Sequence, residues 1–471
     1  MNRFNPVIAC LMILLLALGL GCGDSGGNPV SQQPEPEGQP EGQPEGQPEG
    51  QPEGQPEGQP EGEPEAVDPF VECAADGDCG ASTTCAHGVC VPIPAGMVTA
   101  LLNVERGRMV PVPDEPSVDC YTTPIAPPTD EIEYVDIRGE VEKFGVGGST
   151  VGLCVTVYNG DRYLTDRATF CADETDEIAF EECLGADPCR CESDFEGNPG
   201  AIDDCFDGID YCTGISDSGK KSACRARMAF DGANPSRDAD LESTLIYGHQ
   251  VAVVPANGNT DQGFFSISGV PTRTRLVVKV SGKKARWVDT YEFGPVLANP
   301  RDDVDDVDGD GDTAERYDIL GGNVISIGAW NTIPSTALVP SGIQQGNGAI
   351  AGRVQDCGKA GRTIDIEGEI VDISESLPIE NATIGFTHDP TRTTYFNGNP
   401  DDTLPQPDRI TTNKLGVYAA INAPGGFNRA STVARLASTG QLVPFATRDI
   451  FLAPRSVAIV TFDGNPATAT W

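Results

Sequence analysis

Short stretches of strand-forming residues, separated by Gly, Pro, Asn and Asp, fill the chain beyond about residue 96. A 3.6-residue apolar period, which would indicate amphipathic helices, is almost absent from this part. Apolar and polar residues that alternate over a few positions between turn residues are typical of β-strands. The pattern therefore predicts an all-β fold built from antiparallel β-sandwiches.

Two sequence motifs occur twice, which indicates an internal duplication. Residues 137–141 (Ile-Arg-Gly-Glu-Val) are similar to residues 350–354 (Ile-Ala-Gly-Arg-Val). Residues 263–271 begin with glycine, carry an aromatic strand and end with proline, and residues 416–424 do the same. The first copy has about 60 more residues between its motifs than the second. We therefore expect one fold in two copies, with a cysteine-rich insertion at 171–224 in the first.

The second copy resembles a known domain family. The matching segments are residues 350–356, 379–384 and 411–418, and together they are similar to the carboxypeptidase regulatory-like domain. The copy at 134–300 is similar but looser. The resemblance implies a transthyretin-like sandwich of seven antiparallel strands that serves as a non-catalytic attachment to extracellular proteins. It implies no catalytic residues. We assign the first sandwich to residues 96–335 and the second to residues 346–471.

The first residues of the chain predict an export signal. Arg3 precedes an apolar stretch of about 14 residues, which suits a signal peptide better than a bilayer span of roughly 20. The stretch ends in Leu-Gly-Leu-Gly-Cys and resembles the lipobox of bacterial lipoproteins, although Gly19 stands where a branched apolar residue is expected. We expect a signal peptide at 1–21 and acylation at Cys22; the alternative is an ordinary signal peptide. Gly23, rather than aspartate, after Cys22 favours the outer membrane.

Residues 22–68 predict a disordered stalk. The tetrapeptide Gln-Pro-Glu-Gly occurs six times between Gln39 and Gly62. The repeat offers no apolar side chain for a core, and its prolines block both helices and sheet ladders. A solvated, polyproline-like spacer is the expected result.

Sixteen cysteines in an exported chain indicate disulfides rather than a metal site. Residues 69–95 form a short module whose four cysteines are expected to form two bonds. The sequence downstream leaves an odd set of nine in the first half, with Cys357 alone in the second. Cys357 either bridges to the first half or leaves two free thiols. The candidate disulfide cysteines are Cys73, Cys79, Cys85, Cys90, Cys120, Cys154, Cys171, Cys183, Cys189, Cys191, Cys205, Cys212, Cys224 and Cys357.

An acidic loop at 302–318 carries nine carboxylates in 17 residues. Its alternate aspartates around a glycine resemble the start of an EF-hand or thrombospondin type 3 calcium loop. Tyr317 occupies the position of the usual bidentate acid. The loop is either a structural calcium site or a solvated connector. The candidate calcium ligands are Asp306, Asp308, Asp310, Asp312, Glu315 and Asp318.

The net charge of −40 makes nucleic acid a poor partner, because phosphates would be repelled. His87, His249 and His388 lie far apart and form no catalytic motif, so we expect no enzyme and no cofactor other than calcium. Trp287, Tyr291 and Phe293 fit either a core strand or a sugar-stacking surface.

These observations predict a lipid-anchored structural or adhesive module of the cell envelope, partnered with the membrane through its acyl chains and with a glycan or an envelope protein. A carbohydrate- or peptidoglycan-binding accessory module is the alternative. A hydrolase with its site in the cysteine-rich insertion is a third hypothesis.

Overall fold

The computed structural model confirms the all-β prediction. It describes residues 71–98, 101–105, 108–122, 132–144, 148–170, 246–250, 253–256, 259–283, 286–297, 301–302, 316–339, 341–373, 375–387, 392–397, 405–406 and 408–462. The predicted signal peptide, the stalk with Cys22 and the insertion at 171–224 lie outside these residues. Within the described part of the chain, no helix is long and apolar enough to span a bilayer.

A 3-10 turn (Asp76–Asp78), four strands and one short α-helix precede the first half: β1 (Thr83–Ala86), β2 (Val89–Pro92), β3 (Leu101–Glu105), β4 (Arg108–Val112) and α1 (Asp119–Thr122). The first half contains β5 (Tyr134–Phe144), β6 (Cys154–Asn159), α2 (Gly160–Phe170), β7 (Ile246–Gln250), β8 (Val254–Ala256), β9 (Asn259–Pro271), β10 (Leu276–Ser281), β11 (Trp287–Val288), β12 (Thr290–Phe293), β13 (Arg301–Asp302), β14 (Arg316–Ile319) and β15 (Gly322–Ser326). Helix α3 (Ile327–Thr336) leads to the second half. That half contains β16 (Asn347–Arg353), β17 (Arg362–Ile366), β18 (Glu369–Ile373), β19 (Ala382–Phe386), β20 (Thr393–Asn397), β21 (Pro405–Gln406), β22 (Val417–Pro424), β23 (Gly426–Arg435), β24 (Leu442–Leu452) and β25 (Val457–Val460).

Three sheets build two layered cores. Sheet I has the order β11-β15-β5-β14-β13, with β9 paired to β5 and β8 to β9. Sheet II has nine strands in the order β21-β20-β22-β16-β25-β12-β10-β6-β7, and sheet III has the order β19-β23-β24. The first core includes Ile137 and Phe265 of sheet I and Val155 of sheet II, all fully buried. The second core includes Ile350 of sheet II and Ala430 of sheet III.

The repeated motifs pair in the same register in both halves, as a duplication requires. Strand β5 pairs with β9 so that Gly139 lies opposite Phe265. Strand β16 pairs with β22 so that Gly352 lies opposite Tyr418. In β5 the pairing register shifts just after Val135, one residue past Tyr134, which faces the terminal Pro271. In β16 it shifts just after Gly348, one residue past Asn347, which faces the terminal Pro424. Each half therefore repeats the other in pairing detail.

In each half, the strand that carries the first repeated motif also has a parallel neighbour at the equivalent position. The sheets are therefore mixed rather than purely antiparallel. Strand β14 pairs with β5 in parallel, with Ile319 beside Arg138. Strand β25 pairs with β16 in parallel, with Ile459 beside Ala351. A Cβ on Gly139 would overlap the carbonyl of the residue after β14, and one on Gly352 would overlap the carbonyl at the end of β25. Glycine is required at both positions because of this close approach.

Sheet II runs through both halves. Strand β12 of the first half pairs in parallel with β25 of the second, from Thr290 beside Val457 to Phe293 beside Val460. The apolar side chain of Trp330 on α3 packs with Val288, Ile325 and Val457 over this junction. The described residues between 71 and 462 accordingly belong to one compact unit, and the boundaries assigned to the two sandwiches stay a prediction.

The segment before the first half packs on the second half, although the sequence groups residues from 96 onward with the first. Leu101 in β3 is fully buried in the second core and forms an isolated bridge with Ile379. The Val98 N–H donates to the Arg435 carbonyl at 2.9 Å. Residues that precede the first half in sequence therefore pack, by their contacts, on the second half.

Candidate functional site

Five of the six predicted calcium ligands lie outside the described residues: Asp306, Asp308, Asp310, Asp312 and Glu315. The sixth, Asp318, is a buried residue of β14, and its Oδ1 accepts the Ile319 N–H at 2.8 Å. Strands β13 and β14 pair antiparallel, so the two ends of this acidic segment lie side by side. The calcium site stays a prediction.

The four-cysteine module is closed by two disulfides, Cys73–Cys85 and Cys79–Cys90. Strands β1 and β2 form its hairpin, and Val89 and Val91 are fully buried against Val433 of β23. The module is thus docked on sheet III. Cys154 is also disulfide-bonded. The insertion cysteines lie outside the described residues: Cys171, Cys183, Cys189, Cys191, Cys205, Cys212 and Cys224.

The sugar-stacking interpretation of the aromatic cluster is wrong. Trp287, Tyr291 and Phe293 expose only 7%, 3% and 4% of their surface. Trp287 packs over the backbone of Gly282 in the first core, while the rings of Tyr291 and Phe293 contact Tyr163 of α2. These three side chains fill the cores and offer no stacking surface.

The described histidines form no catalytic group. His249 is half-buried in β7, and His388 lies outside the described residues. His87 sits at the β1–β2 turn with a positive φ of 51°. It keeps solvent contact, yet partial burial of the imidazole and the neighbouring Arg429 charge lower its pKa.

One disulfide links α1, which precedes the first half, to the segment after β16 in the second half, and we call it, with its neighbours Asp356 and Arg362, the latch. Cys120 of α1 is bonded to Cys357 after β16, so Cys357 does bridge to a cysteine of the segment predicted as the first sandwich, although α1 itself packs on the second half. The Cys357 N–H donates to the Ser117 carbonyl at 3.0 Å. The Tyr121 hydroxyl donates to the Gln355 carbonyl at 2.7 Å.

A buried ion pair supports the latch. The Asp356 carboxylate is fully buried and lies 2.5 Å from the Arg362 guanidinium, whose side chain is 1% exposed. The same carboxylate accepts the backbone N–H groups of Ser117, Gly358 and Leu377. Buried charges are tolerated only when they are paired and hydrogen-bonded, and Asp356 meets both conditions.

The latch closes a covalent loop around the first half. The two cysteines are 237 residues apart in sequence, and every strand from β5 to β15 lies between them. Tension that enters before Cys120 and leaves after Cys357 is carried by the disulfide instead of by the first half. The structure therefore contains a covalent path that bypasses one of its two halves.

A small cleft lies where the halves meet, lined by α2, β10, β12 and β24. Arg275 of the first half and Arg448 of the second both line it. Arg448 is 6% exposed, and its Nη1 donates to the Thr447 carbonyl at 3.1 Å. The Arg275 side chain is 17% exposed, and its partial burial lowers the pKa of the guanidinium. Two largely buried guanidiniums in one cleft stand out in a chain with 71 acidic and 31 basic residues.

Sequence reasoning missed these charged groups. A single charged residue in a turn or strand gives no sign from the local sequence that it is largely buried, as Arg275, Arg448, Asp356 and Arg362 are. The odd cysteine count pointed to the latch, and nothing in the sequence pointed to the cleft.

No protein-family model matches the chain, and no curated protein matches it. Among solved structures, the chain is similar to a point mutant of the shaft pilin SpaA of Lactobacillus rhamnosus GG. The match has 8% sequence identity and a TM-score of 0.15, and it covers 69% of this chain and 96% of that chain. A TM-score this low carries no argument about fold or function.

Proposed function

We propose that the protein is a non-catalytic bacterial lipoprotein that stands at the outer membrane and acts as a structural or adhesive element of the cell envelope. The acyl chains on Cys22 would hold the chain in the membrane, because several acyl chains give stable anchoring where one does not. The stalk would then carry the sandwiches away from the surface. The resemblance to carboxypeptidase regulatory-like domains is part of this proposal.

The single observation that carries the structural role is the covalent loop closed by Cys120–Cys357. A molecule anchored at its N-terminal end and held by a partner beyond Cys357 is under tension along its chain. The latch passes that tension straight to the second half. A disulfide resists far more force than sheet hydrogen bonds, so the first half stays folded while the anchored molecule is pulled.

The contacts of the leading segment support the same role. The cysteine module, β3 and α1 all pack against the second half rather than the first. Tension arriving from the stalk therefore enters the second half through several contacts. The first half carries no load along this path, so we expect the partner that holds the chain, a glycan or an envelope protein, to engage the second half.

Acylation tests the anchor. Expression of the full chain in a bacterial host with labelled palmitate should give a labelled mature product that sediments with outer membranes. Cys22→Ala should abolish the label and release the protein into a soluble extracytoplasmic fraction, whereas Cys10→Ala should change neither. An unlabelled mature product in the parent chain would refute the lipoprotein assignment.

Shear tests the structural role. Cells that display the parent chain with a C-terminal capture tag should hold tagged beads under flow longer than cells displaying the Cys120→Ser/Cys357→Ser variant. Surface levels of the two chains must be matched by antibody. Equal retention at every shear stress would count against a load-bearing role and leave the acylation result untouched.

A further inference from the structure

The hairpin of β17 and β18 leaves one strand edge of the second half open. Within the described part of the chain, β18 pairs with β17 alone, while β17 contacts β4 on its other side. The hairpin is held firmly, because Ile364, Ile366 and Ile373 are buried in the second core. The outer edge of β18 is therefore a fixed strand edge rather than part of a loose loop.

The turn between the two strands sets which backbone groups of β18 point outward. Glu367 and Gly368, with positive φ angles of 57° and 86°, form a two-residue turn. A two-residue hairpin closes on a hydrogen-bonded pair, and such pairs alternate with unbonded ones along an antiparallel ladder. The backbone N–H and C=O groups of Ile370 and Asp372 therefore point away from β17. Among the described residues, no other backbone group bonds to them.

The solvent-facing side of this edge is apolar at its centre and acidic around it. Ile370 is 73% exposed, more than any other large apolar side chain in the described ranges. Asp365 of β17 lies opposite Ile370 in the ladder, and Asp372 follows on the same face of β18. Both aspartates are exposed. An added strand covers the isoleucine and meets two carboxylates.

A second copy of the chain is a poor occupant of this edge. Two β18 strands paired antiparallel about a two-fold axis bring Asp365 and Asp372 of both copies onto one face of a four-stranded sheet. Like charges on neighbouring strands destabilise a sheet, and acidic side chains on an edge strand oppose self-association. A basic strand instead places lysine or arginine beside the same carboxylates. The charge of the edge therefore selects a basic partner.

The hairpin is bonded directly to the latch. Strand β17 begins at Arg362, whose guanidinium lies 2.5 Å from the Asp356 carboxylate. Beyond the end of β18, the Leu377 N–H donates to the same carboxylate at 2.8 Å. A strand bound along β18 therefore pulls on the segment that carries Cys357. This is the place where the proposed structural role needs tension to leave the chain.

We propose that the outer edge of β18 docks the envelope partner, and that this partner is an extended protein segment in which basic and apolar residues alternate. The segment adds to the hairpin as a third strand, with backbone bonds to Ile370 and Asp372 and basic side chains beside Asp365 and Asp372. Main-chain bonds supply affinity in this mode of recognition, and the side chains supply specificity. The inference rests on the proposed structural role, because it names the class of partner that the tether holds.

Peptide binding to the full chain tests the edge. The probe is a short peptide of alternating lysine and valine. One control is the same peptide N-methylated throughout, and the other carries glutamate in place of lysine. We expect saturable binding of the probe and affinities about tenfold or more weaker for both controls, because one loses strand hydrogen bonds and the other its charge match. Hydrogen exchange should slow at the Ile370 and Asp372 amides when the probe is bound. No saturable binding, or slowed exchange only elsewhere, overturns the proposal.

Ile370→Pro removes one outward N–H and leaves the bonds to β17 intact, since proline is tolerated on a strand edge. It should weaken probe binding by about tenfold or more. Thr363→Pro is the matched control, because it makes the same change on the opposite edge of the hairpin. If a proline variant fails to fold, Asp365→Lys/Asp372→Lys should reverse the preference and bind the glutamate peptide more tightly than the lysine peptide. Unchanged affinities in the folded variants overturn the proposal.

The other possible occupants give different results. A doubled mass in sedimentation that Ile370→Pro abolishes would assign the edge to a second copy and overturn the proposal. Slowed exchange at the same amides with glycan fragments, and not with the peptide, would overturn it as well. Bead retention under flow reads out the structural role separately, because the C-terminal tag rather than β18 holds the bead. Failure of the docking edge is therefore distinguishable from failure of the latch.

Discussion

At the scale of single residues, close packing of backbone on backbone explains the motifs that the sequence repeats. Gly139 and Gly352 sit at equivalent points of the two halves, each against the carbonyl of a parallel strand. The side chain opposite each glycine is aromatic, Phe265 or Tyr418, and the Tyr418 hydroxyl donates to the Val460 carbonyl at 2.6 Å. The repeated glycine therefore marks a packing requirement shared by both copies.

Gly139→Ala and Gly352→Ala should each lower the free energy of unfolding by about 2–4 kcal/mol, because the added methyl group overlaps a fixed carbonyl. Gly77→Ala is the control, since a Cβ there meets no atom within 4 Å. Urea denaturation measures all three. A loss at either motif glycine no larger than that at Gly77 would show that the neighbouring strand moves aside.

Asp356→Asn should cost about 3–5 kcal/mol, because it leaves the buried Arg362 charge without its counter-ion. Glu367→Gln breaks an ion pair with Arg108 whose side chains are 76% and 55% exposed, and should cost well under about 1 kcal/mol. The comparison is made by denaturation with the disulfides intact. Similar costs in the two variants would contradict a structural role for the buried pair.

His87 should make docking of the cysteine module sensitive to acid. Its pKa is lowered from the ordinary 6.5 by burial and by Arg429, so the folded state favours the neutral imidazole. The contribution of His87 to the free energy of unfolding is fully present above its unfolded pKa of about 6.5. It is lost as the pH falls through the lower pKa of the folded state. His87→Asn tolerates the positive φ and removes this dependence. Melting temperatures between about pH 5 and 8 should therefore fall less steeply in the variant; parallel curves would show that His87 does not contribute.

At the scale of elements, the sequence predicted the strand pairs that carry a repeated motif and missed the pairs whose strands carry none. The strands carrying the repeated motifs, β5 with β9 and β16 with β22, pair as the duplication implies, because glycine, aromatic and proline recur at fixed spacing. The parallel contact of β12 with β25 was not predicted, since two short apolar strands far apart in sequence give no signal of partnership. For the same reason, the sequence did not decide whether the aromatic side chains of β12 lie in the core or on the surface. Their burial depends on α2, which covers them.

Trp330→Ala should weaken the junction between the halves. Its side chain is 8% exposed and packs with Val288, Ile325 and Val457, so its loss opens a cavity that costs about 3 kcal/mol or more. Calorimetry should show the single transition broadening or splitting as the halves uncouple. Ile370→Ala, at a 73% exposed position, should change little. A single unshifted transition in Trp330→Ala would mean that the cluster does not couple the halves.

At the scale of the whole molecule, the folded chain is held together by packing between its halves and by a disulfide. Sheet II and α3 join the halves by packing, and the latch bonds α1, the last element before the first half, to the second half. The odd cysteine count in the sequence suggested such a bond but not its partner, because pairing of cysteines this far apart depends on the finished fold. Anchoring at Cys22 would turn this arrangement into a tether that holds its shape under load.

Single-molecule pulling of residues 69–471 from its two ends tests this claim most directly. With the latch closed, the chain between its two cysteines, which are 237 positions apart, cannot extend, so unfolding releases only the chain outside it. In Cys120→Ser/Cys357→Ser, the released contour length should increase by several hundred ångströms, up to about 800 Å at roughly 3.4 Å per residue less the length held back by the disulfide of Cys154. Equal contour lengths in the two proteins would contradict a disulfide that carries the load past the first half.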